Sequence, residues 1–224
     1  MMARTSLSIE VHNMLSGQMK LRARMITVLA LTLPLAPALA MAGVNDDFIA
    51  AAKRSDLAVL KSLLARGADI NTQENVGFTA SIGGSGQLNL NKAKGNAGYT
   101  ALIIASENGD NEIARFLLAK GAAVNAVEGI FGDTALIKAA WADQKEIVQM
   151  LLAKGAYVNV RAYNGGTALM GAASSGDKEV VQWLLAKGAS IHLKEKHGKT
   201  ALALAAENDH KDVVDILRAH GAKE

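Results

Sequence analysis

A short string recurs along this chain at an almost constant interval, and that interval limits the possible folds more than any other feature. Thr-Ala-Leu begins at four positions, Thr100, Thr134, Thr167 and Thr200. The successive spacings are 34, 33 and 33 residues. A second string, Leu-Leu-Ala-Lys/Arg-Gly-Ala, follows with the same period and ends weakly at Gly221. Repetition at this period is typical of a solenoid, in which each unit packs mainly against its neighbours.

Each repeat has the features of two short helices. The threonine is a good N-cap for the first helix, because its hydroxyl accepts a hydrogen bond from a backbone N–H one turn later. Paired alanines allow the helices to approach closely, and paired leucines give the second helix a larger apolar stripe. A glycine after the leucines suits a left-handed helix end. The first helix is predicted to end similarly at Gly109 and Gly176, with Asp143 and Asp209 as substitutes.

These strings resemble the ankyrin repeat over residues 43–224, although alanine stands where the family usually has proline after the threonine. The resemblance implies an all-α solenoid of five helix-turn-helix repeats with β-hairpin fingers. Asp46 and Asp47 are interpreted as the start of the first helix, and Arg218 replaces a leucine of earlier repeats, so both ends are expected to be closed. The predicted repeats cover about residues 45–76, 98–131, 132–164, 165–197 and 198–224.

One interval breaks the period. Gly67 and Gly121 are 54 residues apart, and the extra residues fall at about 77–97. Leu88 and Leu90 alternate there with polar residues, which is typical of a strand, and a Gly-Gly-Ser-Gly run precedes them. The insertion is therefore predicted to be an extended hairpin finger. A loop without function is the alternative, since extra loop length costs little entropy.

The sequence of residues 1–42 does not follow the repeat pattern, and its order of basic and apolar residues predicts export. Basic residues between positions 20 and 24 precede an uncharged apolar run that ends in small residues. This order is typical of a secretory signal peptide, which we expect at about residues 19–42 after an upstream extension, 1–18. Cleavage is expected after Ala40 or Ala42. An uncleaved membrane anchor is the alternative, but Pro34 and Pro37 would interrupt a spanning helix.

Charge and composition exclude several functions. The formal net charge is +3, but residues 1–42 hold four basic residues and one acid, which leaves twenty of each sign in the remainder. No nucleic acid is therefore expected as a partner, because its binding needs a basic surface. The chain has no cysteine and hence no thiol nucleophile or disulfide. We expect an exported protein in the periplasm, with secretion possible and no stable membrane insertion after cleavage.

No catalytic group and no cofactor site is predicted. The acids between the helices recur with the repeat, whereas a catalytic pair would occur once and in a pocket. His192, His197 and Glu195 are the single set that could bind a metal ion, so a metal-dependent enzyme is an alternative. His210 occupies a position at which the resembled family often has histidine, which implies a structural role.

The resemblance also implies where a partner binds, namely on the hairpin fingers and the exposed, concave side of the first helices. Trp141 is the central candidate, with packing against a neighbouring finger as its alternative. Trp183 aligns with Phe116 and is expected to pack between repeats. The predicted partner-binding residues are Leu88, Leu90, Glu107, Asn108, Ile130, Phe131, Trp141, Tyr163, Ser174 and Ser175.

Together these observations predict a monomeric, non-catalytic scaffold that binds a protein in the bacterial envelope. The chain resembles exported bacterial ankyrin-repeat proteins in joining a signal peptide to a repeat array. The alternative is a secreted effector that acts on a host or competitor protein.

Overall fold

The computed structural model describes the backbone of residues 35–74 and 98–223, with side chains from residue 43 onward. In these ranges the chain forms helices and two isolated antiparallel bridges, Gln73 with Thr100 and Val127 with Thr134. The predicted all-α class is confirmed. The helices are α1 Leu35–Lys53, α2 Leu57–Ala65, α3 Ala101–Asn108, α4 Asn111–Ala119, α5 Ala135–Trp141, α6 Lys145–Ala153, α7 Ala168–Ser175, α8 Lys178–Ala186, α9 Ala201–Glu207 and α10 Lys211–Ala219.

The chain divides into two compact units, Met1–Gly43 and Val44–Glu224. Helix α1 begins at Leu35, so the prediction that Asp46 and Asp47 start the first helix is wrong. Residues 35–42 are mainly alanine, leucine and methionine, which favour helix, and the helix continues through Gly43 and Asn45. None of the described helices is long and apolar enough to cross a membrane. Residues 1–34 and the predicted finger at 77–97 lie outside the described residues.

The predicted threonine caps are confirmed. Thr100, Thr134 and Thr167 each accept a hydrogen bond from the backbone N–H three residues later at 3.3 Å. Thr200 does the same at 3.2 Å. Each of these hydroxyls satisfies one backbone donor that the helix itself leaves without a partner. The caps therefore fix where the first helices α3, α5, α7 and α9 begin, and with them the position of the face that these helices present.

The helix ends also follow the prediction. After α4, Gly121 has a φ of +86°, and the N–H of Ala122 donates to the carbonyl of Leu117 at 3.0 Å. This is the Schellman arrangement, which requires a left-handed residue. Asp143 and Asp209 adopt φ values of 57° and 59° and replace glycine at the ends of α5 and α9. Ser55 has the same role after α1, with a φ of 57°.

Neighbouring repeats are joined by a shared core and by a ladder of asparagines. The helices α3, α5, α7 and α9 pack closely in chain order through small residues that are almost fully buried, namely Ala105, Ala139, Ala140, Ala172, Ala173 and Ala205. Three asparagines each accept, through Oδ1, a backbone N–H of the following repeat. Asn71 bonds to Ala123 at 2.7 Å, and Asn125 and Asn159 make the equivalent bonds at 2.8 Å. These bonds fix the register between repeats independently of apolar packing.

Candidate protein-binding face

The fingers at residues 127–134, 161–166 and 194–199, with the exposed side of α3, α5, α7 and α9, form a surface that we call the finger face. Its fingers are bonded to each other. The N–H of Tyr163 donates to the carbonyl of Phe131 at 2.7 Å, and the N–H of Lys196 donates to that of Asn164 at 2.7 Å. The Tyr163 ring lies over Gly132, where an added Cβ would come within 2.7 Å of the ring. The finger tips are thus a linked row rather than independent loops.

A buried carboxylate braces the finger before α5. The Glu128 side chain is fully buried, and its Oε2 accepts the N–H of Ile130 at 2.8 Å. Its Oε1 accepts the N–H groups of Phe131 and, at 3.3 Å, Asp133. A buried carboxylate is costly unless its oxygens are satisfied, and here the backbone of the finger satisfies them. Glu128 therefore holds Ile130 and Phe131 in place, with 43% and 55% of these residues exposed.

Lys138 lies at the centre of the finger face. Its Nζ is 3.2 Å from Glu107 Oε1 and 3.4 Å from Asp133 Oδ2, and only 16% of its side chain is exposed. The same Nζ lies 5.0 Å from the centre of the Tyr99 ring and 6.0 Å from that of Phe131. Both separations suit a cation–π contact. One ammonium group thus connects α3, α5 and the finger between them.

Burial and charge act in opposite directions on this cluster. Burial alone would lower the pKa of Lys138, but hydrogen bonds to Tyr99 and Glu107 and the charges of Glu107 and Asp133 more than offset it, so the pKa is raised. Burial raises the pKa of Asp133, and Lys138 offsets only part of that change. The lysine is therefore firmly charged, and Asp133 depends on it for compensation.

Trp141 lies beside this cluster, at the end of α5. Its indole packs against Gly171 of α7, where an added Cβ would come within 2.8 Å of both the indole Cδ1 and the Trp141 backbone nitrogen. The residue is still 43% exposed. It lines a groove of about 280 Å³ together with residues of α3, α5 and two fingers, including Glu107, Asp133, Lys138 and Asn164. Trp141 is thus supported by the next first helix and presents part of its ring to solvent.

The other predicted binding residues are distributed along the same face. Glu107 and Asn108 are exposed at the end of α3, whereas Ser174 and Ser175 are half-buried at the end of α7. Asn208 donates to the Ser174 carbonyl at 2.8 Å, so part of this region is occupied by the next repeat. Leu88 and Leu90 lie outside the described residues. Whether any of these residues contacts a partner stays a prediction.

Sequence reasoning missed three groups that shape the site: Tyr99, Glu128 and Lys138. Lys138 did carry a signal. It is a charged residue at a first-helix position where other repeats have Ile104, Gly171 and Leu204. Glu128 carried a weaker one, since the interval that contains it is 34 residues instead of 33. Neither signal showed which residues would meet in three dimensions.

His210 and Trp183 were predicted to have structural roles, and both make contacts between repeats. His210 Nε2 is 3.0 Å from the carbonyl oxygen of Ser174, and its ring lies against Gly176. It therefore links the fifth helix pair to the fourth. Trp183 on α8 is partly buried against the core, and Lys145 Nζ of α6 lies 5.7 Å from its ring centre. Both contacts join consecutive repeats.

His192, Glu195 and His197, the residues predicted as the one set that could bind a metal ion, are not arranged as ligands of a common ion. Within residues 43–74 and 98–223, no three His, Asp or Glu side chains are placed so that they could hold a metal ion. Glu195 instead accepts the backbone N–H groups of His197 at 2.8 Å and Lys199 at 3.1 Å. The hydrogen bond from His197 is the main cause of a lowered pKa at Glu195. This carboxylate braces its finger, at the position that Glu128 occupies in an earlier one.

Comparison with known families agrees with this architecture. A family model for ankyrin repeats, with three copies, matches residues 48–162 and 159–224. The chain therefore belongs to the ankyrin-repeat family. Domains of this type are typically non-catalytic and bind other proteins, and no catalytic family was found. A search of curated proteins gave no match.

Proposed function

We propose that this protein is a non-catalytic binding module of the bacterial envelope, which acts in the periplasm and holds a protein partner against its finger face. The observation that carries the proposal is the exposed aromatic surface at the centre of that face. Phe131, Trp141 and Tyr163 are 55%, 43% and 56% exposed, although each is held by a neighbouring repeat or finger. Rigid aromatic side chains of this kind are common energetic centres of protein interfaces.

The rest of the face suits recognition of a protein better than chemistry. Several of its charged groups are arranged in pairs, Lys138 with Glu107 and Asp133, and Lys199 with Glu207. The grooves are shallow and are lined by residues from several repeats. Paired charges around an aromatic centre are typical of the polar rim of an interface.

The division of the chain supports export. The second compact unit begins at Val44, and Phe48 is the first fully buried core side chain among those described, which start at residue 43. Cleavage after Ala40 or Ala42 would therefore remove the apolar leader and leave the packed repeats intact. Asp46 and Asp47 would then lie near the start of the remaining helix, where acidic residues are favourable.

The binding proposal is tested by capture of partners from the native cell envelope with a tagged protein and its Trp141→Ala variant. We expect a specific partner to be lost from the variant while the variant stays folded with at most a modest loss of thermal stability, because the indole packs against Gly171 but remains 43% exposed. Tyr157→Ala is the matched control. Tyr157 is 67% exposed but lies after α6, away from the groove residues, so its variant should capture normally. Equal capture by all three proteins would contradict the proposal.

The location is tested separately by cell fractionation and N-terminal sequencing of the mature protein. Recovery in the periplasmic fraction, with an N-terminus at residue 41 or 43, is the expected outcome. Recovery from the culture medium would instead favour a secreted effector. An intact N-terminus in the membrane fraction would show that the apolar segment is retained as an anchor.

A further inference from the structure

The groove beside Trp141 has a surplus of negative charge. Glu107, Asp133 and Lys138 line it, and the single ammonium group of Lys138 pairs with both carboxylates. The fully buried Glu128 is a third carboxylate close to this cluster, since it accepts the backbone N–H of Asp133. Opposite charge that compensates this surplus is favourable, and the partial burial of the cluster reduces screening by salt.

Lys138 and Glu107 are exposed to very different degrees. Lys138 is held between the rings of Tyr99 and Phe131 and has 16% of its side chain exposed, so it is in a poor position to pair with an acid of a partner. Glu107 has 48% of its side chain exposed and contacts Lys138 through Oε1. The surplus charge is therefore accessible from solvent at Glu107, on the rim of the groove.

An aromatic surface lies in the same groove. Trp141 is 43% exposed, and the absence of a side chain at Gly171 allows its indole to lie against α7. Tryptophan is the best aromatic acceptor for a cation, and a planar guanidinium group can stack on it while it pairs with a carboxylate. Lysine would provide the charge but not the stacking.

The charge of the finger face changes sign farther along. The side chains of Arg161, Lys194 and Lys196 are exposed, and Arg161 and Lys196 line a separate groove with Glu195. Arg161 belongs to a finger that also lines the groove beside Trp141, but its guanidinium donates to the Lys194 carbonyl of the next finger at 2.8 Å. An acidic segment would be attracted to those fingers and not to the groove beside Trp141. The negative surplus and the exposed indole therefore coincide at one place only on this face, within the described residues.

We propose that the groove beside Trp141 receives an arginine side chain of the partner protein, stacked on the indole and paired with Glu107. This inference rests on the proposed binding function and specifies the chemistry of the bound segment. An aliphatic side chain would leave the negative charge at Glu107 compensated only by Lys138, which is shared with Asp133. An acidic one would be repelled by Glu107 and Asp133.

The test uses the protein as its native cells produce it. The indole N–H signals of its two tryptophans are followed by NMR. The probes are Nα-acetyl-arginine amide and its neutral analogue Nα-acetyl-citrulline amide. We expect the arginine probe to shift the Trp141 signal saturably at low salt while the Trp183 signal stays in place. Citrulline should bind markedly more weakly, and added salt should weaken the arginine probe.

Two variants at equivalent helix positions provide the control. Glu107→Gln should weaken the arginine probe by about fivefold, because the charge is lost and the shape is kept. Glu207→Gln, at the same position in the last repeat, also removes a charge paired with lysine but should leave binding unchanged. Equal binding of arginine and citrulline, no response at Trp141, or unchanged binding by Glu107→Gln would overturn the inference.

The same variants separate this inference from the proposed function. A protein partner that is lost with Trp141→Ala but kept at full affinity by Glu107→Gln would overturn the arginine inference and leave the binding function standing. A partner that is insensitive to Trp141→Ala would overturn the proposed face itself.

Discussion

Two lysines of the same repeat make similar contacts in different surroundings. Lys138 on α5 lies over Tyr99 and Phe131 and pairs with two carboxylates, with 16% of its side chain exposed. Lys145 on α6 lies 5.7 Å from the centre of the Trp183 ring and pairs with Glu179, but 38% of its side chain is exposed. Both clusters join neighbouring repeats by an ammonium group, an aromatic ring and a carboxylate.

The difference in burial determines how much each cluster contributes to the free energy of unfolding. An exposed ion pair contributes roughly 0–1 kcal/mol, because water screens it and two long side chains lose entropy. A buried pair adds little net stability when intact, but removal of one member leaves an uncompensated charge and costs several kcal/mol. The Lys138 cluster should therefore determine the stability of the finger face, whereas the Lys145 cluster should be replaceable.

The largest loss of stability is expected on substitution of Glu128, which belongs to the buried cluster around Lys138 and Asp133. Glu128→Ala removes the acceptor of three backbone N–H groups and should cost about 3 kcal/mol, since hydrogen bonds to charged groups contribute roughly 1.5–3 kcal/mol each and water restores part of the loss. Urea unfolding of the variant measures the change. Glu195→Ala is the matched control, because Glu195 makes equivalent bonds at a more exposed position and should matter less. A larger loss at Glu195 would contradict the role of burial.

The next effect is expected at Lys138. Lys138→Met keeps the apolar stem but leaves Asp133 without its counter-ion, which should cost about 2 kcal/mol at neutral pH. Hydrogen–deuterium exchange should show faster exchange at Ile130 and Phe131, since the finger loses its link to α3 and α5. Unchanged stability would show that solvent already compensates Asp133.

The pH dependence of this loss gives a further check. Burial raises the pKa of Asp133 in the native protein, and the charge of Lys138 opposes that change. Removal of Lys138 should therefore raise the pKa of Asp133 further. The folded variant then binds a proton more readily than the unfolded chain, so its deficit should shrink as pH falls from about 7 toward 4. A deficit that is constant over this range would exclude Asp133 as its source.

A smaller effect is expected where Trp141 meets Gly171. Gly171→Ala gains roughly 0.5–1 kcal/mol in helix propensity but places a Cβ against the backbone nitrogen of Trp141, and overpacking costs roughly 1–3 kcal/mol. We expect a net loss of about 1 kcal/mol and a shifted Trp141 indole signal by NMR. A more stable variant with an unchanged signal would show that α5 and α7 can separate without cost.

The sequence predicted the repeated parts of the molecule well, because the same physical requirement recurs in every unit. The caps at Thr100 and Thr134 and the left-handed ends at Asp143 and Asp209 are confirmed. The start of α1 was predicted wrongly, since the helix begins in the Ala-rich segment at 35–42 and continues through Gly43 and Asn45. Local propensity there outweighed the periodic alignment.

The candidate site was harder to predict because its groups occur only once. Trp141 was identified from its position, but its support by Gly171 depends on a residue in the next repeat. The extra residue in the interval before Thr134 was visible, whereas the folding of the Glu128 carboxylate into that finger was not. Periodicity identifies the residues that all repeats have in common. The candidate binding face is formed by residues that differ from one repeat to the next.

The smallest effect is expected at Lys145, and it tests the exposed side of the comparison. Lys145→Met removes the ion pair with Glu179 and the cation above Trp183, but it keeps an apolar stem that can cover the ring. We expect a loss of at most about 0.5 kcal/mol in urea unfolding, and less in high salt. A double-mutant cycle with Glu179→Gln would isolate the ion pair, whose coupling should fall within the same range. A coupling as large as the loss at Lys138 would mean that exposure does not separate the two clusters, and that contact chemistry alone sets their contribution.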